Sequence, residues 1–139
     1  MASWNKFTIL ALDLLNGLHD FDTHSFKIML TNSAPSAANT TRTDITQITA
    51  ANGYTAGGTA TSLTTSISSG TAKVVATDVT FTASGGTMGT FRYAVLYNAT
   101  NDALLGWYDY ASGVSLASGD QFVVDYDPTN GLLTLTVTG

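Results

Sequence analysis

Phe91-Arg92-Tyr93-Ala94-Val95-Leu96-Tyr97 decides the fold class of this chain. Phe91, Tyr93, Val95 and Tyr97 recur at every second position, the period of a β-strand with one face on a core. Asn98 to Asp102 then supplies a turn, and Leu104 to Tyr110 reads as a second strand carrying Trp107. Further on, Ser118-Gly119-Asp120 leads into Phe122 to Tyr126, and Pro128-Thr129-Asn130-Gly131 leads into a last strand, Leu132 to Thr138. In the other direction, Lys73 to Thr82 alternates, with Val75, Thr77, Val79 and Phe81 on one face, and ends at Ser84-Gly85-Gly86. Thr59 to Ile67 is Thr-rich and extended. Phe26 to Thr31 sets Phe26, Ile28 and Leu30 against Lys27, Met29 and Thr31. About seven or eight short strands at roughly ten-residue spacing, parted by Gly and Asn turns, predict an all-β fold. The expected architecture is a jelly-roll-like β-sandwich with a short N-terminal helix.

That helix is read over Ser3 to Leu18, with Ser3 as N-cap and Gly17 near its end. Trp4, Phe7, Ala11, Leu14, Leu15 and Leu18 share one face at helical spacing. Ile9 and Leu12 make the opposite side apolar as well, and a helix apolar on both sides has two things to touch. Residues 1–20 are therefore expected to pack on, or bridge from, a single β-sandwich domain over residues 21–139. If they only bridge, removing residues 1–18 leaves a folded domain that no longer assembles. Asp13 interrupts the apolar run and no Ala-x-Ala site follows, so the segment reads as mature sequence.

Between Asn32 and Gly58 lies a long stretch of small polar residues. One helical turn is expected over Asp44 to Ile48, capped by Thr43, and Asn52-Gly53 marks a turn. Long loops of this kind are functional or order on a neighbour. Trp4, Phe7, Ile9, Leu12 and Tyr54 are accordingly the candidate partner contacts.

Composition narrows the chemistry. Of the 139 residues only 11% are charged, about half the usual share for a soluble domain. Thr, Ser, Asn and Gly cover the surface instead, which fits a protein packed against neighbours. Lys and Arg total 5 against 10 acidic residues, all Asp, for a net charge of −5. A basic footprint for nucleic acid or for an anionic membrane is absent. With no Cys there are neither disulfides nor thiolate metal sites. His19, Asp20, Asp22 and His24 have ligand chemistry, but they match no helical HxxxH pair and read as a solvated turn. Asp120, Asp125 and Asp127 read as turn caps rather than a catalytic pair. Gly57-Gly58 and Gly85-Gly86 lack the Lys of a phosphate loop, and no G-x-S-x-G elbow exists. The chain is read as a non-enzyme without metal or cofactor. The aromatic set around Trp107 reads as core, with a sugar platform as the alternative.

Several stretches resemble small structural virion proteins of tailed bacteriophages, of the cement or decoration type. They are Met1-Ala-Ser-Trp-Asn-Lys-Phe7, Phe26 to Pro35, Asn52 to Gly58, Phe91 to Asn98 and Leu105 to Tyr110. The resemblance runs over most of the chain, and no catalytic residue carries over. It implies a many-copy protein on the capsid surface, made in the host cytoplasm, that bridges major capsid proteins. It also implies a homo-oligomer, dimer or trimer, and no nucleic-acid or membrane partner. The alternatives are another virion part (tail, neck or head fibre) and a surface carbohydrate-binding module that stacks sugar on Trp107 or a Tyr.

Overall fold

The computed structural model describes residues 2–138; Met1 and Gly139, the outer ends of the segments 1–20 and 21–139, lie outside the described residues. Among the described residues ten strands and one α-helix follow in the order β1 Ser3–Lys6, α1 Ile9–Leu15, β2 Phe26–Thr31, β3 Thr59–Thr61, β4 Leu63–Ser68 and β5 Thr71–Ala76. The chain continues with β6 Val79–Thr82, β7 Met88–Asn98, β8 Leu104–Leu116, β9 Gln121–Val124 and β10 Leu133–Thr136. They form three antiparallel sheets, ordered β1-β8-β7-β2-β3, β10-β5-β4 and β6-β9. This is the all-β, sandwich-like architecture that the strand rhythm predicts. No helix among the described residues is long and apolar enough to cross a membrane.

The decisive stretch lies inside β7, paired on one side with β8 and on the other with β2. Phe91, Tyr93, Val95 and Tyr97 are buried as expected, and so are Ala94 and Leu96 between them. β2 has its expected bounds but not its expected sidedness. Met29 and Thr31 are buried along with Ile28 and Leu30, because β2 lies inside the five-stranded sheet with both faces covered.

Three expected elements are divided or moved, the first being Thr59 to Ile67, which is split between β3 and β4 in different sheets. Lys73 to Thr82 is two strands, because Val74 and Ala76 are buried in β5 whereas Val79 and Phe81 are buried in β6. One strand cannot bury even positions and then odd ones. The phase changes at Thr77-Asp78, where the chain leaves β4 and joins β9, so Val75 and Thr77 do not share the buried face. The helical turn expected over Asp44 to Ile48 is a 3-10 turn at Arg42–Asp44 instead. It begins at Thr41, whose N–H donates to the Asp44 carboxylate at 3.2 Å.

The N-terminal helix is shorter than its periodicity predicts. Ser3 caps nothing: Ser3–Lys6 is extended and pairs with β8, with Trp4 opposite Tyr108. Ladder bonds and ring contacts with β8 outweigh one further turn of an already short, marginal helix. The expected stop is where the sequence places it. Gly17 has φ +73°, Leu18 N–H donates to the Asp13 carbonyl at 2.9 Å, and Gly17 N–H to the Leu14 carbonyl at 3.3 Å. This left-handed glycine closure satisfies the last carbonyls of the helix.

Candidate functional site

The five expected contact residues do not form one surface. Phe7 is buried, its ring 4.6 Å from that of Trp107. Tyr54 is 3% exposed, and the Asn32 to Gly58 stretch that carries it is fastened to its own domain. The Tyr54 hydroxyl donates to Gln47 Oε1 at 2.9 Å and accepts the Leu30 N–H at 3.3 Å, while Ile48 N–H donates to the Leu30 carbonyl at 3.0 Å. Burial pushes the Tyr54 hydroxyl up to about 12. Phe7 and Tyr54 thus have no free surface to offer a partner, since their ring area is spent on the interior. Trp4 is half-buried, its ring 5.0 Å from Tyr108 and its Nε1 donating to the Leu132 carbonyl at 2.9 Å. Ile9 is half-buried too, and Leu12 alone of the five is open, at 52%.

Leu12 shares its outward face with Leu15, which the sequence reading groups with Phe7 on the other side of the helix. Helix α1 turns Leu10 and Asp13 inward, three residues apart, and turns Leu12 and Leu15 outward at the same spacing. Leu15 is 86% exposed. The helix therefore buries its one charged residue beside Leu10, leaves Leu14 half-buried, and sets Leu12 and Leu15 in water. Burial raises the Asp13 carboxyl from its ordinary value. This orientation follows from the late start at Ile9. Phe7 enters the core before the helix begins and sets which side faces in.

Beside α1 the sheet β10-β5-β4 continues the apolar surface. Ile67, Ala72 and Leu135 stand in one cross-strand row, and Thr65, Val74 and Leu133 in the next row on the same face. Leu14 and Phe21 lie over the second row and leave a trough of about 240 Å³. The first row is open, with Ile67 73% and Leu135 63% exposed, and Val137 extends it. The Leu-Thr-Leu-Thr alternation from Leu133 signals a core face. The sheet instead extends past the helix that covers only its inner end.

The two histidines form a polar knot instead of a solvated turn. The Asn98 side-chain amide, fully buried, lies 2.9 Å from His24 Nδ1 and 3.2 Å from His19 Nδ1. His19 is itself buried and stacks parallel to Phe21 at 5.8 Å. Among the described residues no three His, Cys, Asp or Glu side chains gather to hold a metal ion. The Asp residues near the C-terminus cap turns: Asp127 accepts from Thr129 and Asn130, and Asp120 from Ala117. Trp107 is buried under Phe7 and offers no face to a sugar.

Burial, and then the charge of His24, push His19 down to about 4 from an ordinary 6.5. Its folded form therefore prefers to be neutral, and the unfolded chain binds the extra proton between those values. The stability that His19 contributes is present above pH 6.5 and is lost as pH falls toward 4. A loss on the order of 2 kcal/mol across that window is expected. Urea midpoints from pH 7 to pH 4 check it. His19→Gln should flatten that part of the profile, and an unchanged profile would refute the role given to His19.

Comparison with known proteins returns no matching family model, no similar curated protein and no similar solved structure.

Proposed function

We propose that this chain is a phage capsid cement or decoration protein, a structural component that stabilises the head by bridging major capsid proteins. The observation that carries the reading is the outward pair Leu12 and Leu15 on α1, beside the open row of Ile67 and Leu135. Isolated exposed leucines need no explanation, but Leu12 and Leu15 on α1 together with Ile67, Leu135 and Val137 on the neighbouring sheet put much apolar area in water, which favours a partner that covers it. Each such side chain transferred to a partner contributes about 1–2 kcal/mol. A rigid β body with an apolar docking face is what a clamp between subunits requires. Bound to the assembled shell only, it shifts the equilibrium toward that shell by mass action, with no catalytic step and no cofactor. The sparse charge of the surface supports the same reading. The partners are the major capsid protein and further copies of the chain. The site of action is the outside of the virion, after synthesis in the host cytoplasm.

The test is copy number in purified virions, by quantitative mass spectrometry against the major capsid protein. A simple ratio to capsid subunits is the expected result. A few copies per particle would move the chain to the tail, neck or fibres, and absence from particles would overturn the reading. Leu12→Asp combined with Leu15→Asp should cut incorporation severely. Chemical denaturation of the same double variant should show a stability change within about 1 kcal/mol, because both side chains already face water.

A further inference from the structure

Among the described residues, strand β4 is an open sheet edge without the usual protections. It is the outer strand of β10-β5-β4. Natural edges are blunted by shortness, charge, proline or a bulge, or by a covering element. The edges of the five-stranded sheet follow that rule, since β3 has three residues and β1 has four and carries Lys6, and β10, β6 and β9 are short, at four residues each. By contrast β4, Leu63-Thr64-Thr65-Ser66-Ile67-Ser68, runs six residues in unbroken register with β5 and has neither charge nor proline.

Its free backbone groups can be assigned. Thr77 N–H donates to the Ser62 carbonyl at 2.9 Å, which extends the β4–β5 ladder by one rung. Hydrogen-bonded pairs alternate along an antiparallel ladder, so Thr64, Ser66 and Ser68 turn their backbone groups toward β5. Leu63, Thr65 and Ile67 turn theirs away, to the open edge. The side chains of these three share the face that carries Ala72 and Leu135.

We infer that β4 pairs antiparallel with β4 of a second copy, about a two-fold axis at Thr65. In that register Thr65 meets Thr65, and Leu63 meets Ile67 of the other copy. Every outward N–H and C=O of the three residues is then satisfied. The result is a continuous six-stranded sheet, β10-β5-β4 joined to its copy, with one unbroken apolar row. An extended occupant is required by the edge, and a second copy supplies the same six-residue strand, on a sheet free of the acids that would repel it. Each copy carries −5, so two copies repel wherever their acidic surfaces meet. β4, β5 and β10 together hold a single charged residue, Lys73, and no acid. This neutral sheet is where two copies approach at least cost. A strand pair buries less than the roughly 800 Å² per partner of a standard interface, so a dimer of about micromolar or weaker affinity is expected.

The inference deepens the oligomer in the reading above, yet its test uses no capsid, so the two can fail separately. Sedimentation equilibrium of the full chain, from roughly 1 to roughly 500 µM, spans the expected dissociation range. The mass should rise with concentration from 14.5 kDa to twice that value. Thr65→Pro should stay monomeric, since proline removes one outward N–H and no bond to β5. Ile67→Lys should also stay monomeric, and its exposed position keeps the fold intact if the proline variant does not fold. Leu15→Asp, on the helix, should dimerise as the parent does. A parent that remains at 14.5 kDa overturns the inference, as does a trimer. So does dimerisation of Ile67→Lys at parental strength, or its loss in Leu15→Asp alone.

Discussion

Replacing Gly58 with alanine is expected to cost more than about 4 kcal/mol, enough to leave this chain unfolded or nearly so. Gly58 has φ +83°, and a Cβ there would stand 1.8 Å from the Ile28 carbonyl oxygen and 2.8 Å from the Met29 Cα. Both atoms belong to the backbone of β2, which lies inside the five-stranded sheet and cannot give way. The close approach brings the end of the long loop down onto β2 just before β3 pairs with it. It also places the Gly57 carbonyl where Tyr97 donates to it at 2.6 Å. Left-handed strain alone costs an alanine about 1–2 kcal/mol. Gly17→Ala isolates that part, because its φ is +73° and its added Cβ would meet nothing within 4 Å. Urea denaturation of both variants separates the two costs. Equal and small losses would show that the loop lifts away from β2 easily, and that the packing described here does not hold it.

Removal of residues 1–18 is expected to abolish the cooperative fold, contrary to what a bridging arm would allow. The truncation takes away β1 and its ladder with β8 from Ser3 to Lys6, together with the buried Phe7 and Leu10. Each buried apolar side chain lost is worth about 1.5–3 kcal/mol, against a total stability of about 5–15 kcal/mol. The cut also uncovers Trp107 beneath Phe7, and Tyr108 and Tyr126 beneath Trp4. β8 is shaped for this cover: a Cβ on Gly106 would lie 2.5 Å from the Asn5 carbonyl and 2.6 Å from the Trp4 ring. Near-UV circular dichroism of the truncated chain should lose its aromatic bands, and its thermal transition should broaden or vanish. A sharp transition with the bands retained would make the N-terminus a detachable arm after all.

The strongest sequence signals were those that local chemistry sets by itself. The alternation around Phe91 to Tyr97, the Asn52-Gly53 turn and the glycine stop at Gly17 need no distant partner to be recognised. Asp127 caps its turn as the Pro128 to Gly131 segment implies, since a short carboxylate beside free N–H groups has little else to do. The candidate contacts fared differently. Leu12 was legible as apolar and outward, whereas Phe7 and Tyr54 are interior. Leu15, Ile67 and Leu135 were not legible as surface at all, because an apolar residue in a periodic pattern reads as core whether or not anything covers it. Asn98, which binds two histidines together, gave no signal: Asn in a turn is ordinary until its surroundings are known.

The sequence by itself determined an all-β chain with a short N-terminal helix, sparse charge and no recognisable catalytic motif. These follow from residue spacing and composition, which act within a few residues of one another. Only the tertiary structure decided which way α1 faces, that β1 exists, where β5 ends and β6 begins, and that β4 is left as a bare edge. The reason is that a periodic pattern fixes which residues lie on the same side, but not which side is covered. Cover comes from partners far along the chain: Phe7 on Trp107, Trp4 on Tyr108, and Leu14 over Leu133.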